Sequence, residues 1–408
     1  MTTSTLNAAV LKENLSAGLS LVEPAMPTGK NLLPVLAYLR MTADGGLLTL
    51  AATNLTTAIS ARIGAKVAAP FDVLVEYEHL KRLLPKLPAD KPVFLTVVGD
   101  MLHLTCEDTH EFPVLSTSEF PQFDRAADGG SITMPHKTIE GMLRAVLDCA
   151  ATDDARPILT GVRFKFTQSD GDQRIHLAAA NGYMAGIVSS SLSTMPTEWA
   201  GKVIIMPAKP LGEIVGKTLK GAETVTLALG GNGRVKFSTP NVDAWVNALE
   251  GAYPDIVSIL RDESPISAVM PCSALRRKID IAELFNDKEI GLSFLPGTPG
   301  QVKIASVNAE DKRRSDSLLD ATINQAVALA VSPGYIKTAL DGMLALGVEN
   351  AELGMDAPNA SIMLSPVGQP DDMPQACFVV MPMAAKKQKA APTPVKQPAA
   401  AEAVAVPA

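Results

Sequence analysis

The chain has 408 residues, 47% hydrophobic but only 4% aromatic, with 36 Lys and Arg against 43 Asp and Glu for a formal charge of −7. That length supports two to four domains with aliphatic cores, and a pI near 5.4 argues against a surface coated with charge for nucleic acid. No apolar run approaches the ~18 residues of a membrane span, and Met1-Thr-Thr-Ser-Thr-Leu6 lacks the basic-then-apolar pattern of a secretory signal. Cys106, Cys149, Cys272 and Cys377 form no CxxC pair, so free thiols and a cytoplasmic location are expected.

In chain order, apolar residues at helical spacing predict helices over Leu11–Val22, Glu78–Leu87, Lys137–Asp148, Lys209–Leu219, Ser273–Phe285 and Gly334–Leu346. Strands rich in Val, Leu, Ile and Thr follow each helix. Among them are Phe94–Val98 with Met101–Cys106, joined at Gly99-Asp100, and Val225–Leu229 with Arg234–Ser238, joined at Gly230-Gly-Asn-Gly233. Such turns are hairpin signals. Six units of helix plus antiparallel strands define an α+β chain whose sheets pack one face on helices.

Three stretches repeat at equal intervals: Leu48-Thr-Leu-Ala-Ala-Thr-Asn54, Ile175-His-Leu-Ala-Ala-Ala-Asn181 and Val302-Lys-Ile-Ala-Ser-Val-Asn308, their asparagines 127 residues apart each time. Each is an alternating strand after a turn: Asp44-Gly45, Asp170-Gly171 or Pro299-Gly300. A period this long marks a whole domain, well above the roughly 20–50 residues of a solenoid unit. Three similar domains are therefore expected over 1–126, 131–258 and 264–384. Joints follow the aromatic-Pro signals Glu119-Phe-Pro-Gln-Phe-Asp124 and Ala252-Tyr-Pro-Asp-Ile256. Residues 385–408, rich in Ala, Pro and Lys without periodicity, are expected to be disordered.

Basic residues lie on the polar sides of the helices, including Lys81, Arg82, Lys86, Lys137, Arg144, Lys217, Lys220 and Lys337. Acidic residues collect in joints and turns, such as Asp153-Asp154, Asp262-Glu263 and Asp371-Asp372. The tail sets four lysines against Glu402, leaving the body near −10. Basic helices within an acidic shell suit a protein that surrounds DNA without adhering elsewhere; simple solvation of helix faces is the competing explanation.

Four segments, Gly29-Lys-Asn-Leu-Leu-Pro-Val-Leu36, Ala155-Arg-Pro-Ile-Leu-Thr-Gly-Val162, Glu250-Gly-Ala-Tyr-Pro-Asp255 and Phe378-Val-Val-Met-Pro-Met383, occur in order on the triple repeat. With that placement the chain, from about residue 8 to Met383, resembles the bacterial sliding clamp family, the beta subunits of DNA polymerase III. The resemblance implies a DNA-clamp fold: three domains per chain, each with two helices packed on antiparallel sheets, and two chains closing head-to-tail into a ring around duplex DNA. It implies a non-catalytic processivity factor without cofactor or metal. Its partners would be the replicative polymerase, the clamp loader and repair proteins that bind through short linear peptides.

Residue by residue, the resemblance places Lys30, Arg156 and Lys209 at basic positions that meet DNA, with Arg276, Arg277 and Lys278 added from helix placement. It places a hydrophobic peptide cleft at Leu159, Ala180, Gly182, Tyr183, Met184, Ala185, Pro254, Ile259, Tyr335, Val379, Met381, Pro382 and Met383. Phe112, Leu284 and Phe285 match the dimer seam in position, with burial inside one domain as the alternative. Met184, Ser258 and Ala384 stand where the family often has arginine, so a different peptide preference is expected.

Two other signals compete. Gly212-Glu-Ile-Val-Gly-Lys-Thr218 approximates a phosphate-binding loop, but Leu211 occupies its first glycine position and the segment falls within a helix pattern. His103, Cys106 and His110 suggest a metal, yet His103 and Cys106 alternate to opposite strand faces. A nucleotide hydrolase and a peptide-binding scaffold without DNA affinity are thus the alternatives to a clamp.

Overall fold

A computed structural model describes residues 6–29, 33–89, 91–123, 130–153, 155–230, 233–261, 263–308, 310 and 312–383. The expectations for Lys30, Asp124, Asp154, Asp262 and Ala384, and for the tail from 385 to 408, lie outside them.

Among the described residues six α-helices recur two per third: α1 Lys12–Val22, α2 Tyr77–Leu83, α3 His136–Val146, α4 Ala208–Glu213, α5 Cys272–Glu283 and α6 Pro333–Ala345. The apolar positions read from the periodicity are the buried ones: Leu15, Leu19 and Val22 on α1, and Ile139, Met142, Leu143 and Val146 on α3. Two helices end earlier than their periodicity suggests. Pro85 lacks the N–H that would continue α2, and Leu84–Lys86 tightens into a 3-10 turn. α4 passes into a π-helical turn, Ile214–Thr218, where the Thr218 hydroxyl donates to the Leu21 carbonyl oxygen at 2.9 Å. The Gly216-Lys217-Thr218 segment is therefore helical and joined to α1, not a loop open to phosphate.

The repeated asparagine closes the same turn in each third, just after its strand. Asn54 Oδ1 accepts from the Thr56 and Thr57 amides, Asn181 Oδ1 from Tyr183 and Met184, and Asn308 Oδ1 from Glu310. An Asx side chain that substitutes for a backbone acceptor turns the chain tightly into the next strand.

The strands form two antiparallel sheets of thirteen and twelve, and both run across the boundaries between thirds. Thr57–Gly64 pairs with Val242–Asn247, linking the first third to the second. Met184–Ser191 pairs with Gln375–Val380, linking the second to the third. Helices are sutured at the same places. At the second boundary α3 meets α6, where a Cβ on Gly342 would lie 2.6 Å from the Ala145 carbonyl oxygen and 2.5 Å from the Phe378 ring. Only glycine admits so close a backbone approach.

Two strands leave most of one edge unpaired among the described residues. Thr109–Leu115 pairs through Thr109–Pro113 with Met101–Thr105, and with Phe71–Glu76 only through Val114 and Leu115. Arg314–Ile323 pairs through Arg314–Ala321 with Gly300–Val307, and with Ile266–Pro271 only through Thr322 and Ile323. One edge lies in the first third and the other in the last. No described helix is long and apolar enough to cross a membrane.

Candidate peptide cleft and basic helix face

The two inter-third seams can be compared residue by residue. Ala58 and Ala185 each lie four residues after the repeated asparagine; Ala58 faces Trp245 across the first seam, and Ala185 faces Val379 across the second. Phe120 and Phe123 correspond to Tyr253 and Ile256, each following the same spacing around a proline. In the first seam Trp245, Phe120 and Phe123 join Ala51, Ala58 and Leu74 in a buried cluster, with the Phe123 and Trp245 ring centroids 5.2 Å apart. In the second seam, Ala178, Ala180, Ala185 and Ile256 cluster with Tyr253 and Ile187. Large rings complete one seam, and smaller side chains line the other.

The predicted cleft residues converge at that second seam. Leu159, Ala180, Ala185 and Val379 are buried there, whereas Tyr183 is 63% exposed, Met381 50%, Ile259 45% and Met383 36%; Met184 is a correction, because alternation turns it away from Ala185 into the helix-packed core. The Tyr183 and Tyr335 rings stack at 5.9 Å with 10° between planes, bridging the second and last thirds. The Met381 amide donates to the Tyr183 carbonyl oxygen at 2.9 Å, and the Met383 amide to that of Ala330 at 2.8 Å, so Pro382 is held between two anchored methionines. Gly182 has φ +92°, which lets the Asn181 turn present Tyr183 outward. Pro254 is exposed on the neighbouring loop, where the Tyr253 hydroxyl accepts from the Ala180 amide at 3.0 Å and donates to the Gly161 carbonyl oxygen at 3.3 Å. Burial pushes the Tyr253 phenol up to about 12, so it stays protonated and keeps both bonds. Sequence reading omitted Val257, also 46% exposed beside Ile259; its place after the aromatic-Pro turn was the available signal.

The basic positions divide. Arg156, Lys209 and Arg277 are exposed and Lys278 half-exposed, and none has an ion-pair partner among the described residues. Arg276 requires a correction. Its side chain is only 20% exposed and is paired with Asp280 and Asp341, the latter through Nε at 2.7 Å. The Asp341 hydrogen bond leads the causes that raise its pKa, so its charge is neutralised within the last third. Asp280 also pairs with Lys337, extending this lock between α5 and α6.

The seam residues divide as well. Phe112 is buried in its own core, which takes it out of any exposed seam contact. The reason is alternation: its neighbours in Thr109–Leu115 face outward, whereas Phe112 faces the helices. Leu284 is 76% exposed beyond the end of α5, and Phe285 is half-buried.

Fold and site together define the sliding-clamp class. A crystal structure of the Bacillus subtilis DNA polymerase sliding clamp superposes with TM-score 0.84 at 18% identity, covering 94% of this chain and 100% of that one. One of the Caulobacter crescentus beta sliding clamp gives 0.82 at 17% identity, covering 93% and 99%. Among curated relatives, the beta sliding clamp of Synechococcus elongatus is 23% identical over 92% of this chain and 98% of its own, and that of Streptomyces coelicolor 26% identical over 84% and 88%. The family models for the N-terminal and central domains of the DNA polymerase III beta subunit match residues 6–124 and 133–255. The chain belongs to the DNA polymerase III beta subunit family, and its function is that of a DNA sliding clamp, a non-catalytic subunit.

Proposed function

We propose that two copies of this chain close into a ring by pairing Thr109–Leu115 of one with Arg314–Ile323 of the other, and that duplex DNA passes through the hole. The observation that carries this reading is the strand seam made twice within the chain, with one unmatched edge of each kind left over. A head-to-tail contact whose rotation closes gives a finite ring, and free edges are templates for strand addition. Leu284 would lie at this third seam. The organisation into domains 1–126, 131–258 and 264–384 is supported by the same repetition, and the cytoplasmic site of action by the sequence pattern at residues 1–6 and the unpaired cysteines.

Arg156, Lys209, Arg277, Lys278 and Lys30 would contact phosphates without reading sequence, which permits sliding. The second seam would receive short linear peptides of the replicative polymerase, the clamp loader and repair proteins, with Tyr183, Tyr335, Met381 and Met383 as adaptable walls. Retention of the protein on nicked circular DNA, lost when the circle is linearised, is the expected result. Equal retention on both forms would leave a scaffold, not a ring.

A further inference from the structure

We infer that a cationic cavity in the second domain, which shares only Tyr253 with the second-seam cluster and lies apart from the basic helix face, binds a phosphomonoester with a small apolar body. The cavity measures about 640 Å³ and is bordered by Arg163, Lys202 and Arg234 on its polar side and by Ile205, Leu249 and Tyr253 on its apolar side. Its described lining contains no carboxylate.

Arg163 carries the inference. It lies on Gly161–Ser169, whose Val162, Phe164 and Phe166 enter the helix-packed core, so alternation places Arg163 on the opposite sheet face beside Ala178 and Ile205. There it is 92% buried, at 8% exposure, and its Nε has no hydrogen-bond partner. No ion pair engages it among the described residues; its guanidinium rests 5.9 Å from the Tyr253 ring centre. A buried guanidinium without an anion is costly, and a well-packed sheet face ordinarily places an apolar residue there.

The other two cations converge on the same space. Arg234 fixes its Nε to Asn247 Oδ1 at 2.9 Å, which orients the remaining guanidinium nitrogens, and Lys202 is exposed at the rim. Three cations around one mouth match a dianion better than a single carboxylate, and the arginine fork suits phosphate oxygens. The aliphatic wall and the Tyr253 ring suit an apolar substituent, and the volume falls within the range of small-ligand pockets.

The test uses the full chain and phenyl phosphate as probe, with benzoate and sodium chloride at matched ionic strength as comparators, read by calorimetry and melting temperature. Phenyl phosphate is expected to bind and raise the melting temperature, with affinity reduced at least tenfold in both R163L and R234A. R163L without ligand should melt at or above the parent's temperature, because a buried charge has been removed. R234A is surface-accessible and guards against misfolding of the first variant. Retention on circular DNA should be unchanged in both, separating this site from the ring. No binding, equal binding of benzoate, or undiminished binding in the two variants would each overturn the inference.

Discussion

Trp245 and Val379 occupy the same register in two copies of one seam, each opposite an alanine four residues beyond a repeated asparagine. At the first seam an indole fills the space and packs on Phe123. At the second a valine leaves the wall to Tyr183, Met381 and Met383, which stay exposed. One chain thereby makes a joint filled by rings and a joint edged by exposed apolar side chains from the same backbone pairing.

Replacing Val379 with Trp should close the cleft. Binding of a short hydrophobic peptide, followed by fluorescence anisotropy, should weaken at least tenfold, corresponding to about 1.4 kcal/mol, while ring formation by native mass measurement is retained. Undiminished peptide binding would place the cleft elsewhere.

The reverse experiment concerns the filled seam. Trp245→Ala removes a buried ring from the Phe120–Phe123 cluster, and the expected cost is about 3–5 kcal/mol in denaturant unfolding. Peptide affinity at the second seam should not change.

Asp243 gives a pH dependence at the first seam. Burial raises its pKa, but hydrogen bonds from Arg62 and Lys236 outweigh that, and the net shift is downward; the Arg62 Nη1 contact is 2.6 Å and the Lys236 contact 3.0 Å. A depressed folded pKa contributes stability that is present above the unfolded value, about 3.9, and is lost as pH falls through the folded value. Asp243→Asn should therefore unfold at lower denaturant than the parent at pH 7, and the gap should narrow below about pH 4. A constant gap from pH 7 to pH 3 would contradict this assignment.

Arg277 and Arg276 are adjacent but should behave differently. Alanine at Arg277, Lys278 or Lys209 is expected to lower DNA affinity uniformly across sequences and reduce the salt slope by about 0.9 per lost phosphate contact. Arg276→Ala should leave that slope unchanged and instead lower stability, because Asp280 and Asp341 lose their partner. A slope change for Arg276→Ala, measured by DNA-binding titrations over salt, would restore it to the DNA face.

Gly342→Val should clash with the Ala145 carbonyl oxygen and the Phe378 ring, costing about 1–3 kcal/mol as overpacking does. Thermal unfolding reads the effect. An unchanged melting temperature would mean that α3 and α6 separate easily.

Local interactions made much of this legible from the amino-acid order. Helical spacing marked α1, α3, α5 and α6 because burial on one stripe requires it, and the repeated asparagines marked the period, while the turns their side chains close appear only in the structure. The 127-residue period exposed the triplication because homologous cores demand the same pattern. The proposed partner cleft was legible only through resemblance, since its residues come from positions as distant as Leu159 and Met383.

Tertiary structure alone decided which charges are free, which rings are buried and which edges lack partners. Arg276 and Arg277 are neighbours of identical chemistry, yet only the packing of α6 on α5 brings Asp341 to the first. Phe112 reads equally as a seam contact or a core residue until its strand is paired and turned inward. Arg163 is buried against the Tyr253 ring, which only the folding of that loop onto the sheet brings to it. Sequence determines periodic, short-range preferences, whereas desolvation and ion pairing depend on what the fold brings within a few ångströms, and that is a property of the folded chain.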